Sequence, residues 1–103
     1  MTSQRLGDAM EVAPDLHESL LENERIRVLK YRMKPGDRAE LHSHPDGVVY
    51  HLEGNLKARS VNQDGQAQEY DLAPGMCVWT PASSHVFEGV SGEEGIGLII
   101  ELR

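Results

Sequence analysis

Residues 36–54 read GDRAELHSHPDGVVYHLEG, and the reading of this stretch decides the fold. Pro35-Gly36 closes one run of alternating residues. "RAELHSH" (38–44) and "VVYHLEG" (48–54) are each the length of a strand, and they are divided by Pro45-Asp46-Gly47, a turn composition. Side chains on a strand alternate between faces, so His42 and His44 project the same way with Cβ atoms about 7 Å apart, a spacing from which two imidazoles can converge on one ion. By the same count Arg38 and Glu40 share that face. A His-x-His pair also arises on an exposed polar strand face, so the pair alone leaves both readings open. In the next strand His51 shares a face with Val49. It approaches the same cavity if that face is the interior, and otherwise it is a packed, hydrogen-bonded strand histidine.

The pattern continues in both directions. Upstream, Ile26 and Val28 alternate with Leu29, Tyr31 and Met33. Downstream come "NLKARSVN", "AQEYDL", "MCVWTP", "HVFEGV" and "IGLIIEL", separated by turns containing Asp64-Gly65, Pro74-Gly75, Ala82-Ser83-Ser84 and Gly92 to Gly95. Short strands with turn signals every 8 to 12 residues or so read as an all-β sandwich or barrel. Asp64-Gly65 is a two-residue hairpin signal, because glycine tolerates the positive φ such a turn requires. Residues 1–24 lack a sustained period and are expected to form an N-terminal arm lying on the body or on a partner subunit, with residues 25–103 as the barrel domain.

The 103 residues suffice for one domain. The formal charge of −7 is spread along the chain without a basic cluster, so neither nucleic acid nor an anionic membrane is an expected partner. No apolar run approaches the roughly 20 residues that span a bilayer, and the N-terminus has no secretory pattern, so a cytoplasmic location is expected. The single cysteine, Cys77, excludes an internal disulfide and a thiolate zinc cluster. It is expected to be a small buried hydrophobe, with Trp79 and Phe87 as core. A metal site would therefore use histidine and carboxylate. His85, after a turn of Pro and small residues, is suited to supply a third imidazole from across the lumen. His17, in the irregular arm, is expected at the surface.

Together these residues resemble the cupin superfamily. Gly36-DRAEL-His42-Ser43-His44, with Gly54 as closing glycine, resembles its first motif. Gly75-MCVWT-Pro81-Ala82-Ser83-Ser84-His85-VFE-Gly89 is similar to its second, with Ser83 for the inner glycine, one residue fewer before the histidine and Gly89 for the asparagine. The resemblance spans about residues 25–103 and implies a double-stranded β-helix, or jelly-roll, barrel. It departs at the family's glutamate ligand: counting back from Gly54 reaches Gly47, and counting forward from His44 reaches Val48 or Val49. Asp46 is the nearest carboxylate, although a turn aspartate more often bonds its own backbone.

The resemblance implies a divalent ion on His42, His44 and His85, with His51, Arg38 and Glu40 to orient or deprotonate substrate. Iron(II) is the ion expected in the cell, and zinc, nickel, manganese and copper are alternatives. The implied activity is that of a metal-dependent dioxygenase acting on a small molecule such as a β-diketone. The alternatives are a non-catalytic ligand-binding cupin and a metal-dependent isomerase or lyase. Strands apolar on both faces, such as "GLIIEL", need an outer covering, so a homodimer is expected.

Overall fold

A computed structural model describes residues 7–103. The first six residues of the expected arm lie outside the described residues. A single-turn helix α1 (Ala9–Val12) is followed by nine strands: β1 (His17–Glu22), β2 (Ile26–Met33), β3 (Arg38–His44), β4 (Gly47–Glu53), β5 (Leu56–Asn62), β6 (Ala67–Leu72), β7 (Cys77–Thr80), β8 (Ser83–Gly92) and β9 (Gly95–Leu102). They form two antiparallel sheets, one ordered β1-β2-β9-β4-β7 and the other β3-β8-β5-β6. This is a jelly-roll sandwich, as the sequence predicts.

Alternation explains which side chains meet between the sheets. On β2, Arg27, Leu29, Tyr31 and Met33 are buried, and on β9 so are Gly95, Gly97, Ile99 and Glu101. Two apolar clusters result. Ala9, Leu29, Tyr31 and Ile99 form one, and Met33, Leu56, Ala58 and Leu72 form the other. Gly97 stands opposite Tyr31 in the register, and a Cβ there would collide with the phenol ring, so the smallest residue makes room for the largest.

Three expectations are corrected. Residues 7–22 lie on the body, one of the two places expected for the arm, but they are not irregular: β1 extends the five-stranded sheet, and α1 packs Ala9 into the core. An Asp8–Glu11 capping box closes α1, the Asp8 carboxylate accepting from the Glu11 amide at 2.9 Å. The Asp64-Gly65 hairpin is not a two-residue turn. Only Gly65 has positive φ, at 83°, and the Asn62 carboxamide accepts from the amides of Asp64 and Gln66, lengthening the loop. Cys77 and Trp79 are exposed rather than core, because β7 is an edge strand and both point to the outer face. Among the described residues, no helix is long and apolar enough to cross a membrane.

Candidate metal centre

The site is set by a break in β3. Ala39 pairs with Phe87 and His42 with His85, so that two residues, Glu40 and Leu41, stand against one, Val86, on the other strand. The extra residue is a bulge, and it reverses the face assignment of everything before it. His42 and His44 therefore point inward together with Ala39, whereas Arg38 and Glu40 point out.

Even counting placed Arg38 and Glu40 beside the histidines; the structure does not. Their side chains are 50% and 65% exposed and pair with each other at 2.8 Å, and Arg38 also reaches Glu88 at 3.3 Å. His51 does face inward and is fully buried, but it belongs to the core. Its Nδ1 is hydrogen-bonded to the Tyr31 hydroxyl, its Nε2 donates to the Gly54 carbonyl at 2.6 Å, and the ring stacks on Tyr31. Both nitrogens are taken, as the packed reading requires.

His42, His44 and His85 come together. His85 is not across the lumen: β8 is the hydrogen-bonded neighbour of β3, and His85 stands directly opposite His42 in the register. The ring centroids are separated by 4.7, 4.8 and 5.3 Å. One ligand atom from each residue lies within 4.8 Å of the others, and no other such set of histidine, cysteine or carboxylate groups occurs among the described residues.

The outer nitrogens explain the direction of the inner ones. His42 Nδ1 lies 2.6 Å from the Glu40 carbonyl, which can only accept, so Nδ1 carries the proton. His44 Nδ1 donates to the Glu101 carboxylate at 2.8 Å. His85 Nδ1 meets the Ser60 hydroxyl at 2.8 Å, a partner that can take its proton. In the neutral rings of His42 and His44 the lone pairs are then on the two Nε2 atoms, which face each other 2.9 Å apart. Two lone pairs at that distance repel unless a cation, either a shared proton or a metal ion, lies between them. The spacing is also about that expected for two nitrogens at right angles, each about 2.0–2.1 Å from a common ion. The donor set therefore fits a divalent metal ion.

Electrostatics keeps these donors ready. Burial pushes the His42 imidazole down to about 4 and the His85 imidazole down to about 3, in both cases aided by the neighbouring histidines. At neutral pH both are in the ligand form. Burial alone would raise the Glu101 carboxyl, but hydrogen bonds from His44 and Arg27 outweigh it and hold the group below its ordinary range. Arg27 lies 2.7 Å from Glu101 and 2.9 Å from Asp8, so a chain runs from the half-buried Asp8 through the buried Arg27 and Glu101 to His44. Such outer contacts fix the tautomer and orientation of a ligating imidazole.

Sequence reasoning did not identify Glu101. Its signal was a carboxylate at an inward, even-spaced position of the otherwise apolar strand "IGLIIEL". The positions where the family's glutamate is sought hold Gly47, Val48 and Val49, of which Val49 faces inward beside Ile99, so β4 offers the cluster no carboxylate. Asp46 does not join it either: it is exposed, and its carboxylate accepts from the Ala82 amide at 2.7 Å.

The cluster opens on a cavity of about 560 Å³ whose wall includes Met33, Val49, Leu72, Met76, Phe87 and Ile99. Residues of the edge strands β6 and β7 also line it; Tyr70 and Val78 occupy inward register positions there and are nonetheless about 40% exposed. His17 also lines this cavity, against the expectation of a surface position.

No protein-family model matches the chain, and no curated protein matches it. Solved structures do. A cupin domain protein from Bordetella pertussis Tohama I superposes with a TM-score of 0.75 over 99% of this chain and 99% of that one, at 22% identity. The polyketide cyclase RemF from Streptomyces resistomycificus has a TM-score of 0.61 at 22% identity, covering 84% of this chain and 63% of the cyclase. The DMSP lyase DddQ from Ruegeria pomeroyi DSS-3 has 0.63 at 16% identity, over 84% of this chain and 46% of the lyase. The chain thus has the cupin fold.

Proposed function

We propose that this protein is a mononuclear metal-dependent enzyme, a dioxygenase of the three-histidine kind with iron(II) as its ion, acting on a small and largely apolar molecule such as a β-diketone. The observation that carries this reading is the pair of inward Nε2 atoms of His42 and His44, 2.9 Å apart, beside His85 at the inner end of an apolar cavity. When bound, the ion supplies Lewis acidity and, as iron(II), the capacity to activate dioxygen.

The chain's own residues do the rest. Three neutral imidazoles leave a divalent ion's charge uncompensated, which favours a substrate that binds as an anion such as an enolate. The Glu40 carbonyl, Glu101 and Ser60 hold the rings, so the donors need not reorganise when substrate arrives. Met33, Leu72 and Phe87 give an apolar wall against which the carbon skeleton of the substrate packs and from which water is excluded. Arg38, Glu40 and His51 take no part through their side chains.

A second reading is redox-neutral metal chemistry, a lyase, cyclase or isomerase reaction. The likenesses to a polyketide cyclase and a DMSP lyase favour it. Oxygen uptake separates the two. Protein loaded with iron(II) or zinc is assayed against small β-diketones and thiols; uptake with iron alone supports the oxygenase. Absence of uptake across the panel, with substrate consumed under nitrogen, would transfer the protein to the second reading. Ligand binding without any consumption would leave a non-catalytic binder.

A further inference from the structure

We propose that His17 is a positioning residue of the same centre, a fourth imidazole that accepts a hydrogen bond from a ligand held on the three histidines. The proposal rests on the metal-centre reading and names a ligand class of its own, one that a β-diketone held as its enolate does not belong to. The class is that of molecules whose metal-binding oxygen carries an N–H or O–H group beside it.

Three contacts place the ring. His17 opens β1 and pairs with Tyr31, an inward residue, so it too faces the interior. The preceding backbone is pinned, since the Arg32 amide donates to the Leu16 carbonyl at 3.0 Å. The imidazole stands edge-on to His42 with ring centroids 6.2 Å apart. It is close enough to meet a ligand on the centre, yet its nitrogens lie outside the set of converging ligand atoms.

Its polarity follows from its one hydrogen bond. Nδ1 is 3.0 Å from the Ala13 carbonyl, an acceptor only, so Nδ1 carries the proton and the neutral ring's lone pair is on Nε2. Among the described residues Nε2 has no hydrogen-bond partner, and no buried side-chain nitrogen is left unpaired, so Nε2 is accessible. The ring lines the cavity on the metal centre as well as a small outer hollow beside Asp15 and Glu18, and its edge-on approach to His42 favours the inner side. A lone pair at that place selects for a donor on the ligand.

The test uses full-length zinc-loaded protein and two chelators with the same ligating oxygens. Acetohydroxamic acid has an N–H beside its metal-binding oxygen, and N-methylacetohydroxamic acid does not. Affinities are measured by calorimetry for the parent, His17→Ala and His17→Gln, with zinc content determined in each. The expected result is unchanged zinc stoichiometry in all three proteins. In His17→Ala, affinity for the N–H probe falls about fivefold while affinity for the N-methyl probe stays within about twofold; in His17→Gln, whose amide oxygen can still accept, part of the loss is restored. Equal effects on both probes, or none, overturn the assignment, as does loss of zinc from His17→Ala, which would make His17 a ligand or a scaffold. If the parent itself takes up no zinc, the metal-centre reading fails and this one with it, an outcome distinct from normal zinc binding with probe affinities indifferent to His17.

Discussion

Arg27 and Glu101 stand directly opposite each other on β2 and β9, the guanidinium Nε 2.8 Å from one carboxylate oxygen, while the other oxygen lies 2.8 Å from His44. Both residues are buried, 8% and 2% exposed. A carboxylate so placed serves two donors at once, and an amide cannot. Glu101→Gln is therefore expected to lower metal affinity about 10–100-fold through His44. It should also cost about 3 kcal/mol of metal-free stability through the loosened Arg27. Chelator competition and urea unfolding measure the two effects separately.

The metal-free protein should lose stability on mild acidification. His42 and His85 titrate at about 4 and about 3 in the fold, against about 6.5 in an unfolded chain. Between those values the unfolded state binds protons that the native state refuses, so stability falls as pH drops below about 6.5 and goes on falling to about 3. The melting temperature of chelator-treated protein should decline over that window. In the His42→Gln/His85→Gln variant the decline should be shallower, and equal slopes in the two proteins would contradict the account.

Arg38→Ala and Glu40→Ala should leave metal content and melting temperature as they are, since both side chains lie in solvent and pair across the outer surface. His51→Ala is the contrasting case. It empties a buried site and strands the Tyr31 hydroxyl, so a loss of about 2–4 kcal/mol is expected with the metal retained. Loss of metal in Arg38→Ala, measured by mass spectrometry, would place that residue back in the site.

The outer face of the five-stranded sheet carries one continuous apolar row, Val28, Ile100, Val48 and Trp79, in register across four strands. A second row holds Leu98, Tyr50 and Cys77. The second row ends on β2 at Lys30, which pairs with Leu98, so only the first row is uncharged from β2 to β7. We propose that a second copy of this chain covers the first row and the apolar part of the second, because an identical face is their simplest apolar complement. Light scattering at micromolar concentration should give a dimer, and Val48→Lys should give a folded monomer. A monomeric parent would end the proposal.

The sequence was a good guide wherever period alone decided the outcome. Turn residues and alternation located β2 to β9, and the resemblance of the two histidine motifs implied the cluster of His42, His44 and His85 that the fold assembles. It misled where the period breaks. The bulge in β3 leaves no compositional mark, so Arg38 and Glu40 were assigned to the wrong face. β1 was unrecognised because its residues are mostly exposed and its place in the sheet comes from pairing with β2 rather than from its own pattern. With it went His17, whose position is a tertiary fact. Trp79 and Cys77 fell outside the core because edge position, unlike hydrophobicity, is not written locally.

The irregularity in β3 also fixes the chemistry of a single nitrogen. Glu40 and Leu41 have no register partners on β8, and it is the unladdered Glu40 carbonyl that accepts the hydrogen bond from His42 Nδ1. A chain one residue shorter here would make a straighter strand, still with both imidazoles pointing inward. It would nonetheless lose the acceptor that commits Nε2 to the interior. Variation in length at this point, with every histidine intact, is thus a route by which relatives on the same scaffold could come to hold different ions or none.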